Sequence, residues 1–505
     1  MGAAVAAVVY IWLAQGAAFL LTPRTIPFAL RARAFGFWAI TAPLVFVLQN
    51  PLTTLFVVAA LMLVVAPLAA RDRAAFFLVA VPAVPIFISA PLPFPGINYL
   101  TELTHLKLAA LVILIPVFFS GGGNNRQGTS GPSIVLIVYV LYTSLLVALS
   151  GSITGGLRFF LDQLLIIALP YFAIRYALRK TDDMDAFFQA FLIASLILAI
   201  VAIVSRAKGW DIYASAASVI RDLRQGGLRV NATAGTHALA FHLAAAFLIL
   251  EFLKQRIRIG FIALNAMRAL FVAGMLTTGS RGALGALAVA WCIYKFLTLR
   301  SAPLRMGLFC LLSVAAIGGS IWLAQGDVGS YDEHGTFSYR QELLWTSFSY
   351  IAKYPFFGDR HFLLSGEFDH LLQGQGIIDV TNLYLQVALT FGLTGLALFS
   401  CVFMYPALAA GRSVLQVRRS QSSPTIAGKR DDAIDDWSSA TAVTVAIVAG
   451  WLFLIATTSD VGLTLHLGVA FAALCQGLRR LRPIVEREGS GYKSVTPSPN
   501  PLATA

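Results

Sequence analysis

Hydrophobic residues run along this chain in long, unalternating blocks separated by short polar breaks. Ile134–Leu149, Ala186–Val204 and Val443–Ala456 are typical. The alternation of a strand with one wet face is missing, so the blocks read as helices rather than as a barrel. Apolar segments of roughly 15–21 residues are long enough to cross a bilayer. They lie at 3–22, 36–49, 52–70, 76–93, 106–120, 133–150, 158–178, 186–205, 234–253, 259–277, 282–298, 306–324, 383–408, 440–458 and 461–477. The pattern predicts an all-α, polytopic integral membrane protein with roughly 13–15 transmembrane helices. The weakest division is the tight connection at Asn50-Pro51, beside one short half. The first run, Ala3–Leu21, has no basic stretch ahead of it and is long for a signal segment, so a retained span is expected.

One polar interval, Gly326 to Asn382, interrupts this pattern. It carries Asp332, Glu333, His334, Arg340, Glu342, Lys353, Asp359, Arg360, His361, Glu367, Asp369, His370 and Asp379. The chain therefore divides into N-terminal spans (1–325), one large loop with short helices (326–382), C-terminal spans (383–478) and a Ser/Pro-rich tail (479–505). Inside the loop, Arg340–Ala352 reads as an amphipathic helix with Leu344, Phe348 and Ile351 on one face and Trp345 beside them. Pro355 stops it and Gly358 supports a turn. Two settings suit that helix: the membrane interface, or a lid packed on the spans.

Lysine and arginine set the orientation, because they concentrate in cytoplasmic breaks. Arg31/Arg33, Arg71/Arg73, Arg179/Lys180, Lys254/Arg256/Arg258, Arg300/Arg305, Arg418/Arg419/Lys429/Arg430 and Arg479/Arg480/Arg482 alternate consistently along the segments. With these breaks inside, the C-terminus is cytoplasmic and the large loop is external. The same bias accounts for the net charge of +13, and no soluble basic domain is left to bind nucleic acid. The four cysteines, Cys292, Cys310, Cys401 and Cys475, all fall in apolar runs and read as packing residues. Gly121-Gly122-Gly123 lacks the Lys-Ser/Thr context of a nucleotide loop and reads as a linker.

Some arginines oppose the orientation rule. The external loop 205–235 holds Arg206, Arg221, Arg224 and Arg229, and Arg281 sits in the external turn Thr277-Thr278-Gly279-Ser280-Arg281-Gly282. An arginine fork matches phosphate oxygens, so an anionic ligand outside would account for them; lipid headgroup phosphates are the alternative. Within the large loop, His361, His370 and Asp379 are candidates for general acid or base work. Their spacing matches no zinc motif. Asp162, His242, Glu251, Arg268 and Lys295 lie in or near spans and count as functional candidates by position.

Thr277–Leu284 resembles the bacterial O-antigen ligase and polysaccharide polymerase superfamily. The likeness continues in Arg340 followed by Trp345, in Pro355 and Gly358, and in Asn382-Leu383-Tyr384-Leu385 ahead of Gly392-Leu393-Thr394-Gly395. Arg229 with Asn231, before the apolar run at Ala238, is similar to the family's other external arginine site. This resemblance spans about Arg229 to Phe399. It implies a GT-C-like glycosyltransferase of the bacterial inner membrane, metal-independent and without a cofactor, with its large loop in the periplasm. Arg229 and Arg281 would bind the diphosphate of an undecaprenyl-diphosphate-linked glycan donor, with Arg340 assisting. The acceptor would be a second glycan or lipid A core; membrane lipid and a chain-length regulator protein complete the partners so implied.

Ligases of this superfamily carry histidine immediately before the loop-exit asparagine, where this chain has Thr381. Threonine is no base near neutral pH, which leaves Asp379, His370 and His361. The reading expected from the sequence is therefore a polymerase of lipid-linked polysaccharide, exopolysaccharide or O-antigen. An O-antigen ligase stands second. A flippase, which would place its charges in a central cavity, comes third.

Overall fold

The computed structural model describes residues 2–48, 50–86, 88–95, 98–121, 131–213, 223–224, 227–299, 301, 303–307, 336–372, 377–421, 432–458 and 464–490. They form an all-α membrane protein: α1 (Gly2–Leu21), α2 (Phe28–Val47), α3 (Pro51–Val65), α4 (Ala70–Ala80), α5 (His105–Ala109), α6 (Ile115–Gly121), α7 (Gly131–Ser150), α8 (Ile153–Gln163), α9 (Leu169–Ala177), α10 (Asp183–Ala207), α11 (Thr236–Arg256), α12 (Phe261–Thr277), α13 (Arg281–Thr298), α14 (Thr336–Lys353), α15 (Leu383–Gln421), α16 (Asp432–Thr457) and α17 (Thr464–Ser490). Two small antiparallel hairpins, Ser89–Pro91 with Glu102–Thr104 and Leu223–Arg224 with Gly227–Leu228, are the strands among the described residues. Residues 308–324 of the expected segment 306–324, with Arg221, Asp332, Glu333 and His334, lie outside the described residues.

Eight described helices are long and apolar enough to cross a membrane, and Pro51–Val65, His105–Ser120 and Phe261–Thr277 are shorter apolar ones. The segment expected at 76–93 is not a continuous helix. Pro82 and Pro85 end α4, because proline supplies no amide donor and clashes with the preceding turn. The chain then continues as a short 3₁₀ turn into the first hairpin. Irregular backbone is tolerated at such depth only where the protein itself satisfies it. Here Trp38 donates to the Val79 carbonyl at 3.0 Å and Thr233 to that of Pro82 at 2.7 Å, while His105 Nε2 lies 2.8 Å from the carbonyl of Ala80.

α10 and α11 form the centre, 83% and 89% buried over their apolar windows against 33% for α1. α13 packs on α16 through small residues: a side chain at Gly450 would strike Ala286 and Ala290, and one at Gly282 would meet Thr457. Such stripes let helix backbones approach closely without a hydrophobic driving force.

Contacts between distant breaks sort by side, as the alternation of basic breaks predicts. On the basic side Arg71 pairs with Asp183, Arg256 with Asp182 and Asp436, and Thr25 donates to the Ile257 carbonyl. At the other end, Thr233 reaches Pro82 and His361 reaches Ser150.

The ionisable groups singled out within the spans are paired or stacked. Asp162 pairs with the buried Lys107 at 2.6 Å, and Glu251 takes both Lys254 and Arg268. His242 stacks on Phe191 at 4.0 Å, and the Lys295 ammonium lies over Trp291. Of the cysteines, Cys475 is buried, Cys292 half-buried and Cys401 exposed, all as free thiols.

Candidate functional site

Two segments far apart in sequence, 229–237 and 277–281, are laced together. The Val230 amide donates to the Thr277 carbonyl at 3.2 Å. Arg229 is buried; its Nε donates to the Thr278 carbonyl at 3.0 Å and its Nη2 to the Thr236 hydroxyl at 3.3 Å. Gly279 takes a left-handed φ of +63°, and the place of its missing side chain lies 3.5 Å from Arg229 Nε. Glycine is the residue that makes this turn without strain.

Ser280 then caps α13, accepting the Ala283 amide at 3.4 Å, and Arg281 is the first residue of the helix. Arg281 is exposed and makes no ion pair among the described residues. A guanidinium exposed at the positive end of a helix dipole is an uncompensated concentration of positive charge. The structure therefore brings Arg229 and Arg281 to one turn, one beneath it and the other facing out.

The same turn holds a residue that the sequence reading passed over. His237 Nδ1 lies 2.8 Å from Ser280 Oγ. Its signal in the sequence was position alone: it follows Gly235-Thr236 at the start of α11, eight residues beyond Arg229. Within the same loop, the Asn231 amide donates to Asp211 at 2.7 Å, and Arg206 donates to the Leu228 carbonyl.

α14 covers the first turns of α15. Its buried face is Leu343, Ser347, Tyr350 and Ile351, packed with Phe362, Phe368, Leu371, Val380, Leu385 and Leu389. Trp345 and Phe348 point outward, in edge contact with each other. The set expected from sequence straddles the two faces: Phe348 is exposed, Leu344 half-buried and Ile351 buried.

Pro355–Asp359 is inserted into a break in α15. Gly392, at φ +70°, interrupts the helix, and a side chain there would stand 2.3 Å from Phe356 backbone. Gly358, at φ +67°, would likewise strike Gly392 at 2.5 Å. Backbone groups orphaned by the break find partners in the insert: Asp359 donates to the Leu389 carbonyl, and the Leu393 amide donates to that of Pro355, each at 2.7 Å. The Tyr142 hydroxyl lies 2.9 Å from the Phe356 carbonyl and 3.0 Å from that of Phe391. Tyr350 donates to Asp359 at 2.5 Å, and burial with this bond pushes its phenol up to about 12.

Each of the three acid–base candidates has its own partners. Asp379 is held by its backbone, its amide donating to the Tyr339 hydroxyl and its carbonyl accepting from it, at 3.0 and 2.9 Å. Tyr339 precedes Arg340, the exposed next residue of α14. His370 faces Thr346 and Glu342 on the exposed side of α14, at 3.3 and 3.5 Å. His361 points instead to the α7–α8 turn, 3.3 Å from the Ser150 carbonyl.

Asn382 caps α15, accepting the amides of Tyr384 and Leu385 at 2.9 and 3.2 Å. Tyr384 donates to the Leu452 carbonyl of α16, the helix whose Thr457 adjoins Gly282. The loop exit and the Arg281 turn thus rest on the same end of α16, about 7–8 Å apart along its axis at 1.5 Å per residue. Among the described residues no group of three or more His, Cys, Asp and Glu side chains is placed to hold a metal ion.

Residues 266–400 match the family model described as O-Antigen ligase. The matched segment contains Arg281, Arg340, Asp379, Asn382 and Gly392. Arg229 lies outside it and is joined to it through Thr278. No curated protein matches the sequence.

Proposed function

We propose, from the match of residues 266–400 to the O-Antigen ligase family model, that this chain is a membrane glycosyltransferase extending a polysaccharide carried on a lipid diphosphate. The observation that carries this reading is the docking of buried Arg229 under the turn that presents Arg281. Both lie on the face opposite the basic breaks, where α14 brings Arg340.

In this reading Arg281 and Arg340 hold the donor's diphosphate. Arg229 fixes the turn and adds charge from below. The acceptor hydroxyl gives its proton to the Asp379 carboxylate, and its oxygen attacks the anomeric carbon of the donor sugar. The bond from that carbon to the phosphate oxygen breaks, and the lipid diphosphate leaves with both bonding electrons. Arginines aimed at this leaving group lower the barrier because negative charge grows there in the transition state. Asp379 is preferred over the two histidines because its backbone is clamped to Tyr339 of α14, the helix that carries Arg340. Thr381 supports polymerisation over ligation, since the position used by ligase histidines holds no base.

Deletion of the gene followed by glycan analysis tests the choice. Loss of long polymer, with short lipid-linked repeats accumulating, is the expected result. Long polymer that persists but stays unattached would mean a ligase. Purified protein with a lipid-diphosphate glycan and an acceptor in detergent tests the chemistry: elongated product is expected, and none would favour transport.

A further inference from the structure

We infer that His237 is the positioning residue for Arg281, acting through Ser280, and that it thereby governs affinity for the lipid diphosphate of the donor. The inference rests on the donor site proposed above and adds a residue to it. The geometry that carries it is the lacing of two segments far apart in sequence. Gly235, at φ +85°, turns the chain sharply into α11, so that the first two side chains of the helix reach back to the arginine turn. Thr236 takes the Arg229 Nη2 donor, and His237 Nδ1 meets Ser280 Oγ at 2.8 Å.

Ser280 stands immediately before Arg281 and is buried. Its amide donates to the Thr278 hydroxyl at 3.1 Å, and its own hydroxyl caps α13 at a long 3.4 Å. The shorter of the two hydroxyl contacts is the one to His237. The imidazole therefore fixes the Ser280 side chain, and with it the backbone from which Arg281 projects. Arg281 has no ion pair among the described residues to hold it otherwise. A guanidinium recognises two phosphates well only when its fork is aimed, so a slackened helix start weakens donor binding before it changes chemistry. Acceptor recognition, which is assigned to the Asp379 side of the loop, stays as it was.

The test is binding of undecaprenyl diphosphate to the purified full-length protein in detergent, with Arg281→Ala measured in parallel. Losing one buried capping contact corresponds to about a tenfold change in affinity, so His237→Ala is expected to weaken binding about tenfold. His237→Asn, which keeps a polar atom near the Nδ1 position, is expected to stay within about threefold of the parent. Turnover assays should assign the His237→Ala loss to the donor KM, leaving the acceptor KM unchanged. If His237→Ala does not fold, Ser280→Ala carries the same test and should show the same loss.

Parent-like binding by His237→Ala, alongside loss in Arg281→Ala, would overturn the His237 inference and leave the donor site standing. Equal loss in His237→Ala and His237→Asn would also overturn it, since the ring would then act by another route. Failure of the parent protein to bind undecaprenyl diphosphate overturns both the inference and the site.

Discussion

Arg281 and Arg229 each stood out in the sequence as arginines opposing the expected orientation, but their division of labour did not. That division follows from burial: Arg229 has its donors drawn into the Thr278 carbonyl and the Thr236 hydroxyl, whereas Arg281 faces out. Arg281→Ala should cut transfer by about 10²–10³, the usual cost of removing one donor to developing charge. Arg281→Lys should recover only part of this, because a point charge replaces a fork. Steady-state kinetics at matched protein level checks both. Asp379→Asn should abolish most turnover while leaving donor binding intact. A variant as active as the parent would remove Asp379 from the site and return attention to His370. His237 was out of reach of sequence reasoning, because its importance comes from a contact across 43 residues.

At the scale of elements, the sequence showed Pro355, Gly358 and Gly392 as separate punctuation marks. Their relation is spatial: two left-handed glycines are crossed backbone to backbone, each excluding a side chain from the other. Gly392→Ala combines a strained φ with a direct clash, and should cost on the order of 3 kcal/mol, read as a lowered unfolding temperature in detergent. Loss of the loop's protection from protease should accompany it.

The Tyr350–Asp359 contact sets a pH window for the same region. Burial and that bond raise the phenol from its ordinary value near 10 to about 12. The neutral form is therefore favoured in the folded state. Its contribution is fully present below about pH 10 and is lost as pH rises through about 12. Protease resistance of the loop should hold unchanged from neutral pH to about 10, and Tyr350→Phe should remove the alkaline transition. The packed face of α14, Leu343, Ser347 and Tyr350, was not singled out in the sequence, because Ser347 and Tyr350 do not stand out in a hydrophobic pattern.

For the whole molecule, the helical class and the gathering of the basic breaks at one end were readable, because lysine and arginine mark those breaks so consistently. The segment 76–93 was not. Hydropathy measures burial, and Ala74–Pro85 is buried throughout although its helix has ended. Only the satisfied carbonyls of Val79, Ala80 and Pro82 explain how a broken segment stays there. Orientation is open to direct measurement. In a background lacking native cysteines, Glu367→Cys should react with an impermeant maleimide added to intact cells, and Asp182→Cys only after permeabilisation. The reverse pattern would invert the molecule and place both arginines on the cytoplasmic face.

The crossing of Gly358 with Gly392 also bears on how relatives of this protein are recombined. A loop cut out at 326–382 looks like a self-contained cassette, yet its Pro355–Asp359 turn is spliced into a helix break ten residues beyond the cut. A chimera exchanged at those borders would pair one parent's insert with another's helix break. The heritable unit is the stretch from α14 through Gly395, and swaps that respect it should keep their fold while those that divide it should not.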